Sequence, residues 1–276
     1  MTSQRPVLIT GCSAGIGRHV AEGLKQRGYK VFATARSQDD VAELCALGFE
    51  ALQLDLASSA SIHHAFAAVM DKTGNTLYAL FNNGAYGQPG AVEDLGRDAL
   101  REQFEVNLFG THELTTLAIP VMRRQGYGRI IQNSSLLGYV AMKYRGAYNA
   151  SKYALEGLTD TLRLELAGSG IFVSLIEPGP IQSNFRLNAW HAFRKSIDSS
   201  RSHHSGAYAA LADRLQTEEP VAPFTLGPEA VLKCVIHALE SGRPQVRYRV
   251  TFPAYLLAYL KRILPDRVMD KILERI

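Results

Sequence analysis

Short apolar runs alternate with longer amphipathic stretches through the first two thirds of the chain. VLIT (7–10) precedes IGRHVAEGLKQRG (16–28), YKVFAT (29–34) precedes DDVAELCALG (39–48), and EALQLDL (50–56) follows. Continuous apolar runs suit strands covered on both faces, and the amphipathic stretches between them suit crossover helices. The alternation therefore predicts βαβ units and a parallel sheet with helices on both sides. It continues through LYALFNN (77–83), a helical stretch from Arg97 to about Arg124, RIIQNSS (129–135), a helix from about Tyr148 to Leu166, and IFVSLIEPG (171–179). Six strands are thus expected before residue 180, with QVRYRV (245–250) as a seventh. No repeat or linker divides the chain, so a single doubly wound α/β domain is expected over 1–276.

Two segments break the pattern. Residues 182–224 are rich in Ser, His, Arg and aromatics, and hold the only tryptophan, Trp190. Loops after strand ends of an open parallel sheet lie over its ligand crevice, so this insert is expected to be a lid, with a plain surface excursion as the alternative. Phe185, Trp190, Phe193, Tyr208 and Phe224 either wall a substrate pocket or form the lid's own core. The C-terminal stretch FPAYLLAYLKRILPDRVMDKILERI (252–276) has apolar residues at helical spacing with Lys and Arg between them. It is too short in apolar residues to span a bilayer, and is expected to dock on protein, with subunit contact or weak membrane-surface contact as alternatives.

The 276 residues are 46% hydrophobic and 20% charged, enough apolar material for one sizeable core. A formal charge of +4, spread along the chain, gives no reason to expect nucleic acid as a partner. Cys12, Cys45 and Cys234 lie far apart without metal-ligand spacing, and no secretory signal precedes the first apolar run. A reduced, cytoplasmic protein without a metal is expected.

Candidate chemistry sits at two places. ITGCSAGIGRHV (9–20) follows the first strand and opens the first helix, with Gly11, Gly15 and Gly17 where a tight turn brings backbone amides close to a pyrophosphate. In GAYNASKYALEGL (146–158), Tyr148 and Lys152 are four apart and share one helix face. A free phenol ionises near pH 10 and is a poor base or acid at neutrality, so a neighbouring ammonium is expected to lower it. Ser135 stands thirteen residues before Tyr148, at the carboxyl end of the fifth strand, with Ser134 as a rival. Asn107 falls inside a helix in an apolar context, where asparagine is a mediocre choice without a reason.

The TGxxxGIG turn, the Ser135, Tyr148 and Lys152 spacing, and FNNGAYG (81–87) resemble the short-chain dehydrogenase/reductase family over about Val7 to Glu240. The resemblance implies a Rossmann-type fold, a nicotinamide dinucleotide, and a catalytic set of Asn107, Ser135, Tyr148 and Lys152, in which Asn107 holds a water linking Lys152 to solvent. It implies cofactor contacts from Gly11, Ser13, Gly15, Ile16 and Gly17 at the phosphates, and from Asp55, Leu56 and Asn82 at the ends of the third and fourth strands. Tyr148 and Lys152 serve the cofactor as well, as do Pro178, Gly179, Ile181 and Ser183 at its nicotinamide end. Where the family usually reads NNAG, this chain transposes the last two as Ala85 after Gly84. At the end of the second strand an acid would bind a free ribose 2′-hydroxyl, whereas Ala35 stands there, followed by Arg36 and Ser37; a cation suits a 2′-phosphate, so NADP(H) is expected over NAD(H).

GCSAGIG, AYNASKYALEGL and EPGPI further resemble reductases of the retinol, 17β-hydroxysteroid and bacterial aldehyde reductase type. That likeness implies an apolar carbonyl or alcohol substrate and a homo-oligomer. The rival readings are a nucleotide-binding regulatory or scaffold protein without turnover, and an epimerase or dehydratase acting on a nucleotide sugar.

Overall fold

Seven strands form one all-parallel sheet in the order β3-β2-β1-β4-β5-β6-β7. They are β1 (Pro6–Ile9), β2 (Lys30–Ala35), β3 (Glu50–Gln53), β4 (Ala79–Asn82), β5 (Gly128–Asn133), β6 (Ile171–Pro178) and β7 (Arg247–Val250). The computed structural model describes residues 5–217 and 222–276. Within β1, Val7 and Ile9 join one apolar cluster while Leu8 joins the other, so neither face of the strand meets water. That is the physical reason the strands read as unbroken apolar runs.

The helices are α1 (Gly15–Gln26), α2 (Gln38–Ala46), α3 (Ser59–Thr73), α4 (Arg97–Phe104), α5 (Thr111–Gln125), α6 (Gly146–Glu165), α7 (Phe185–Ser196), α8 (Ser205–Gln216), α9 (Glu229–Glu240), α10 (Phe252–Ile263) and α11 (Asp266–Leu273). Val20 and Leu24 of α1 and Val231 and Val235 of α9 cover one sheet face. Ile62 and Val69 of α3 and Leu114 and Met122 of α5 cover the other.

Three boundaries differ from the sequence pattern. The third strand ends at Gln53 rather than at Leu56, because Asp55 turns the chain: its amide donates to Ser61 Oγ at 3.0 Å and its carboxylate accepts from Ala57 N at 3.0 Å. The expected helix from Arg97 to Arg124 is three pieces, with a π-helical turn, Glu105–Gly110, between α4 and α5. Helix α6 begins at Gly146, two residues ahead of Tyr148.

Both irregular segments fold as helical pairs. In 182–224, α7 and α8 enclose a small core of Ala189, Phe193, Tyr208, Leu211 and Leu215, with Trp190 packed against it. Phe193 and Tyr208 are therefore the lid's own interior, while Phe224 is exposed and packs at 5.1 Å on Phe252. In 252–276, Ala254 and Leu257 of α10 and Met269 of α11 bury against Leu136 and Val140. The opposite side of α10 exposes Phe252, Tyr255, Tyr259 and Ile263. Among the described residues no helix is long and apolar enough to cross a membrane.

Candidate active site

The strand order reverses between β1 and β4, where an open parallel sheet leaves a crevice at its carboxyl edge. The glycine turn lies there. Gly11 and Gly15 take left-handed φ of 70° and 58°, and a Cβ on Gly17 would collide with the Gly11 carbonyl. A Cβ on Gly11 would in turn stand 2.8 Å from Gly84 Cα, so the bare Gly11 is what lets the segment after β4 approach the turn. Helix α1 has no side-chain cap on its first amides and no acid in its first turn. Those orphan donors and the positive end of the helix suit a pyrophosphate, and the turn fits a dinucleotide.

Asparagines brace this turn from below. Asn83 Nδ2 donates to Thr10 O at 3.0 Å and Gly11 O at 3.1 Å, and its Oδ1 accepts from Asn133 Nδ2 at 2.9 Å. Thr10 Oγ1 accepts from the amides of Asn83 at 2.9 Å and Gly84 at 2.8 Å. Sequence reasoning missed Thr10, Asn83 and Asn133 and singled out Asn82, whose side chain instead donates to Thr115 Oγ1 at 2.8 Å inside the sheet-helix layer. The alternation of strand side chains was the available signal, since neighbours on β4 face opposite sides.

Around the crevice, Ser13 and Ile16 lie in the turn, with Ile16 packed on the core. Arg36 is exposed just beyond β2, and among the described residues it has no ion pair. Ser37 caps α2, accepting from Asp40 N at 3.1 Å and donating to Asp40 Oδ2 at 2.6 Å, so its hydroxyl is already engaged. Leu56 is buried and packs against Gly84 and Gly110. Pro178 ends β6, Gly179 N donates to Val250 O at 2.9 Å, and Ile181 bridges Leu226. Ser183 abuts the glycine turn: a Cβ on Gly15 would lie 2.9 Å from its Cβ.

Ser135, Tyr148 and Lys152 converge where β5 ends beside α6. Ser135 opens a short 3-10 turn, Leu136–Gly138, with its Oγ accepting from Leu137 N at 3.1 Å, and its hydroxyl acts on the Tyr148 phenol, favouring the ionised form. Ser134 points elsewhere, toward Glu156 and the space a Cβ on Gly138 would fill. Lys152, buried on α6, donates from Nζ to Asn133 O at 2.7 Å, with Nζ 5.7 Å from the Tyr148 ring centroid. Asn107 is buried in the π turn; its Oδ1 accepts from Tyr86 N at 3.2 Å and its Nδ2 donates to Tyr86 O at 3.0 Å and Ser151 Oγ at 3.1 Å. The side chain thus clamps the β4 loop to α6.

The electrostatics reverse one expectation. Burial pushes the Tyr148 phenol up to about 12, against the opposing pull of the Ser135 hydroxyl, and no lowering by Lys152 accompanies it. Burial likewise lowers Lys152 to about 8, with Glu156 one helical turn on resisting the drop. Desolvation disfavours whichever form is charged, and at this separation it outweighs the attraction between ammonium and phenolate.

A cavity of about 50 Å³ opens beside Tyr148, walled by Gly87, Pro89, Leu137, Phe185 and Leu215. Phe185 meets the Tyr148 ring edge-on at 5.2 Å, so among the lid aromatics it is Phe185 that lines the site.

The comparisons with known proteins agree with this geometry. A short chain dehydrogenase family profile matches residues 5–192. The chain is 43% identical to the uncharacterized oxidoreductase YbbO of Escherichia coli (strain K12), over 98% of this chain and 94% of that protein. It is 34% identical to human 17-beta-hydroxysteroid dehydrogenase type 1, over 89% of this chain and 77% of the other. A short-chain dehydrogenase from Streptomyces avermitilis superposes with a TM-score of 0.78 at 28% identity, covering 99% of this chain and 96% of that one. The chain belongs to the short-chain dehydrogenase/reductase family, whose members are NAD(P)-dependent oxidoreductases.

Proposed function

We propose that this enzyme interconverts an apolar aldehyde or ketone and its alcohol with NADP(H). The observation that carries the reading is the convergence of Ser135, Tyr148 and buried Lys152 at the end of β5, with Tyr148 lining a cavity whose wall is mostly apolar. When bound, NADPH supplies a hydride, two electrons and one hydrogen, to the carbonyl carbon. Tyr148 delivers the proton that the developing alkoxide needs, Ser135 donates a hydrogen bond to that oxygen, and the alcohol leaves. In the reverse direction the Tyr148 oxygen takes the hydroxyl proton. Lys152 holds the cofactor's ribose and restores the Tyr148 proton; Asn107 fixes the helix that carries both.

Cofactor contacts are assigned to Gly11, Ser13, Gly15, Ile16 and Gly17 at the phosphates and to Asp55, Leu56 and Asn82 beyond them. Pro178, Gly179, Ile181 and Ser183 serve the nicotinamide end. Arg36 takes the 2′-phosphate, while Ser37 keeps its hydroxyl on the α2 cap. A cytoplasmic homo-oligomer completes the proposal, with the exposed side of α10 as its candidate contact surface.

Replacing Tyr148 by Phe removes the proton donor and keeps the ring's contact with Phe185. NADPH-dependent reduction of an aldehyde panel should fall by at least about 100-fold, while NADPH affinity stays within about threefold. Wild-type turnover in the Phe variant would sink the assignment.

A further inference from the structure

We propose that the cavity beside Tyr148 is an anion site as well, and that the aldehyde or ketone substrate, apolar elsewhere, carries one carboxylate that Arg145 binds, which makes it an oxo acid. The oxo-acid part rests on the reductase reading; the anion site does not.

Arg145 lines the same cavity as Tyr148, Phe185 and Leu137, and a second guanidinium, that of Arg186, also lines it. Among the described residues its guanidinium makes one hydrogen bond, from Nη1 to the Tyr144 carbonyl at 3.5 Å. Among the described residues no carboxylate lies within ion-pair distance of it. The charge it feels most is another cation, Arg214 of the lid, and burial lowers it to about 10. A desolvated guanidinium without a counter-charge is costly, and proteins ordinarily place a carboxylate beside one. Among the described residues nothing supplies that partner, and the guanidinium lines the cavity.

The backbone at this point is fixed. Tyr144 holds φ at 59°, a strained value for a residue with a side chain, and its carbonyl accepts from Gly90 N at 3.1 Å. Its ring is wedged edge-on against His204 at 5.5 Å and Tyr208 at 5.9 Å. Arg145 itself bridges Gly90. Strain held by so many contacts marks a position that is over-determined, and here it presents Arg145 to the cavity. Arg145 is also the N-terminal flanking residue of α6, whose first turn has no acid, so the helix dipole adds to the preference for an anion.

Geometry narrows the ligand. Arg145, the residue before α6, and Tyr148 in its first turn both line this one cavity of about 50 Å³. The carboxylate and the reacting carbonyl of one substrate are therefore separated by a few carbons. The planar guanidinium fork matches the two oxygens of a carboxylate, which favours that group over a bare negative charge.

The test compares succinic semialdehyde with butanal, its neutral counterpart, as substrates of the wild-type enzyme, Arg145→Met and Arg145→Lys with NADPH. Binding of butyrate in the presence of NADPH is followed in parallel by ligand-observed NMR. In the wild type kcat/KM should favour the acid by at least about tenfold, the range expected for a hydrogen-bonded charge. Arg145→Met should lose that preference and weaken butyrate by a similar factor, with Arg145→Lys in between. Comparable kcat/KM for acid and aldehyde, or a preference that survives in both variants, overturns the anion site and leaves the reductase reading standing. If neither compound is turned over, the reductase reading fails, and butyrate decides the site: binding weakened in Arg145→Met upholds it, binding unchanged overturns it.

Discussion

Tyr148 and Lys152 illustrate how burial sets the chemistry of single groups. The phenol is held neutral, ready to donate, while the ammonium is poised to lose its proton near pH 8. Reduction should therefore be flat from about pH 6 and decline as Lys152 deprotonates above about 8, because the phenol stays protonated throughout. Oxidation, which needs the tyrosine oxygen as base, should rise across the same interval. A pH–rate profile in both directions checks this; a reduction rate that falls from pH 6 upward would mean that the phenol itself titrates there. The YxxxK spacing was legible in the sequence because four residues return to one helix face. The direction of the pKa shift was not, since desolvation depends on the packing of β5, α6 and the lid around the pair.

At the scale of elements, the strand-turn-helix of residues 9–20 shows why some motifs read directly from sequence. Close approach of Gly11 to Gly84, and of Gly17 to the Gly11 carbonyl, leaves no room for a Cβ, so the residue type itself records the geometry. The end of β2 is a second such place. Ala35 is buried there and Arg36 is exposed beyond it, so the cation reaches outward where the acid of an NAD site would stand. Arg36→Ala should raise the NADPH dissociation constant by at least about tenfold and leave NADH within about threefold, read by fluorescence titration. An equal effect on both cofactors would remove Arg36 from the 2′-phosphate. The π turn at Glu105–Gly110 belongs to the other kind of element. Asn107 hinted at a perturbed helix, but a widened turn arises only where the clamp to Tyr86 and Ser151 exists.

Across the whole molecule, the edge between β6, β7 and α6 gathers a charge network that no local pattern announces. Arg247 pairs with Glu156 at 3.1 Å, Asp160 at 2.6 Å and Glu177 at 2.9 Å, and Arg249 with Glu177 at 3.2 Å. Burial, reinforced by Glu156, raises Glu177 to about 7 in spite of both arginines. The unfolded carboxyl ionises near 4.5, so between the two values the folded state holds the proton that the unfolded state has lost. This contribution to stability is complete below about 4.5 and is lost as pH rises through about 7. Thermal melts from pH 5 to 7.5 should thus show a shallower decline for Glu177→Gln than for wild type, and parallel curves would refute the assignment.

The order of strands and helices, the single domain and the catalytic spacing follow from the sequence alone. Each is encoded by neighbours in the chain: apolar runs for doubly covered strands, glycines where a Cβ cannot fit, and helical spacing for Tyr148 and Lys152. Tertiary structure decided what depends on residues far apart in sequence. It turned Ser135 rather than Ser134 toward Tyr148, made Phe193 and Tyr208 lid core but Phe185 pocket wall, and braced the glycine turn with Asn83 and Asn133. It also placed Arg145 in the cavity wall with no carboxylate at ion-pair distance among the described residues, because whether a charge is compensated depends on which distant side chains pack against it.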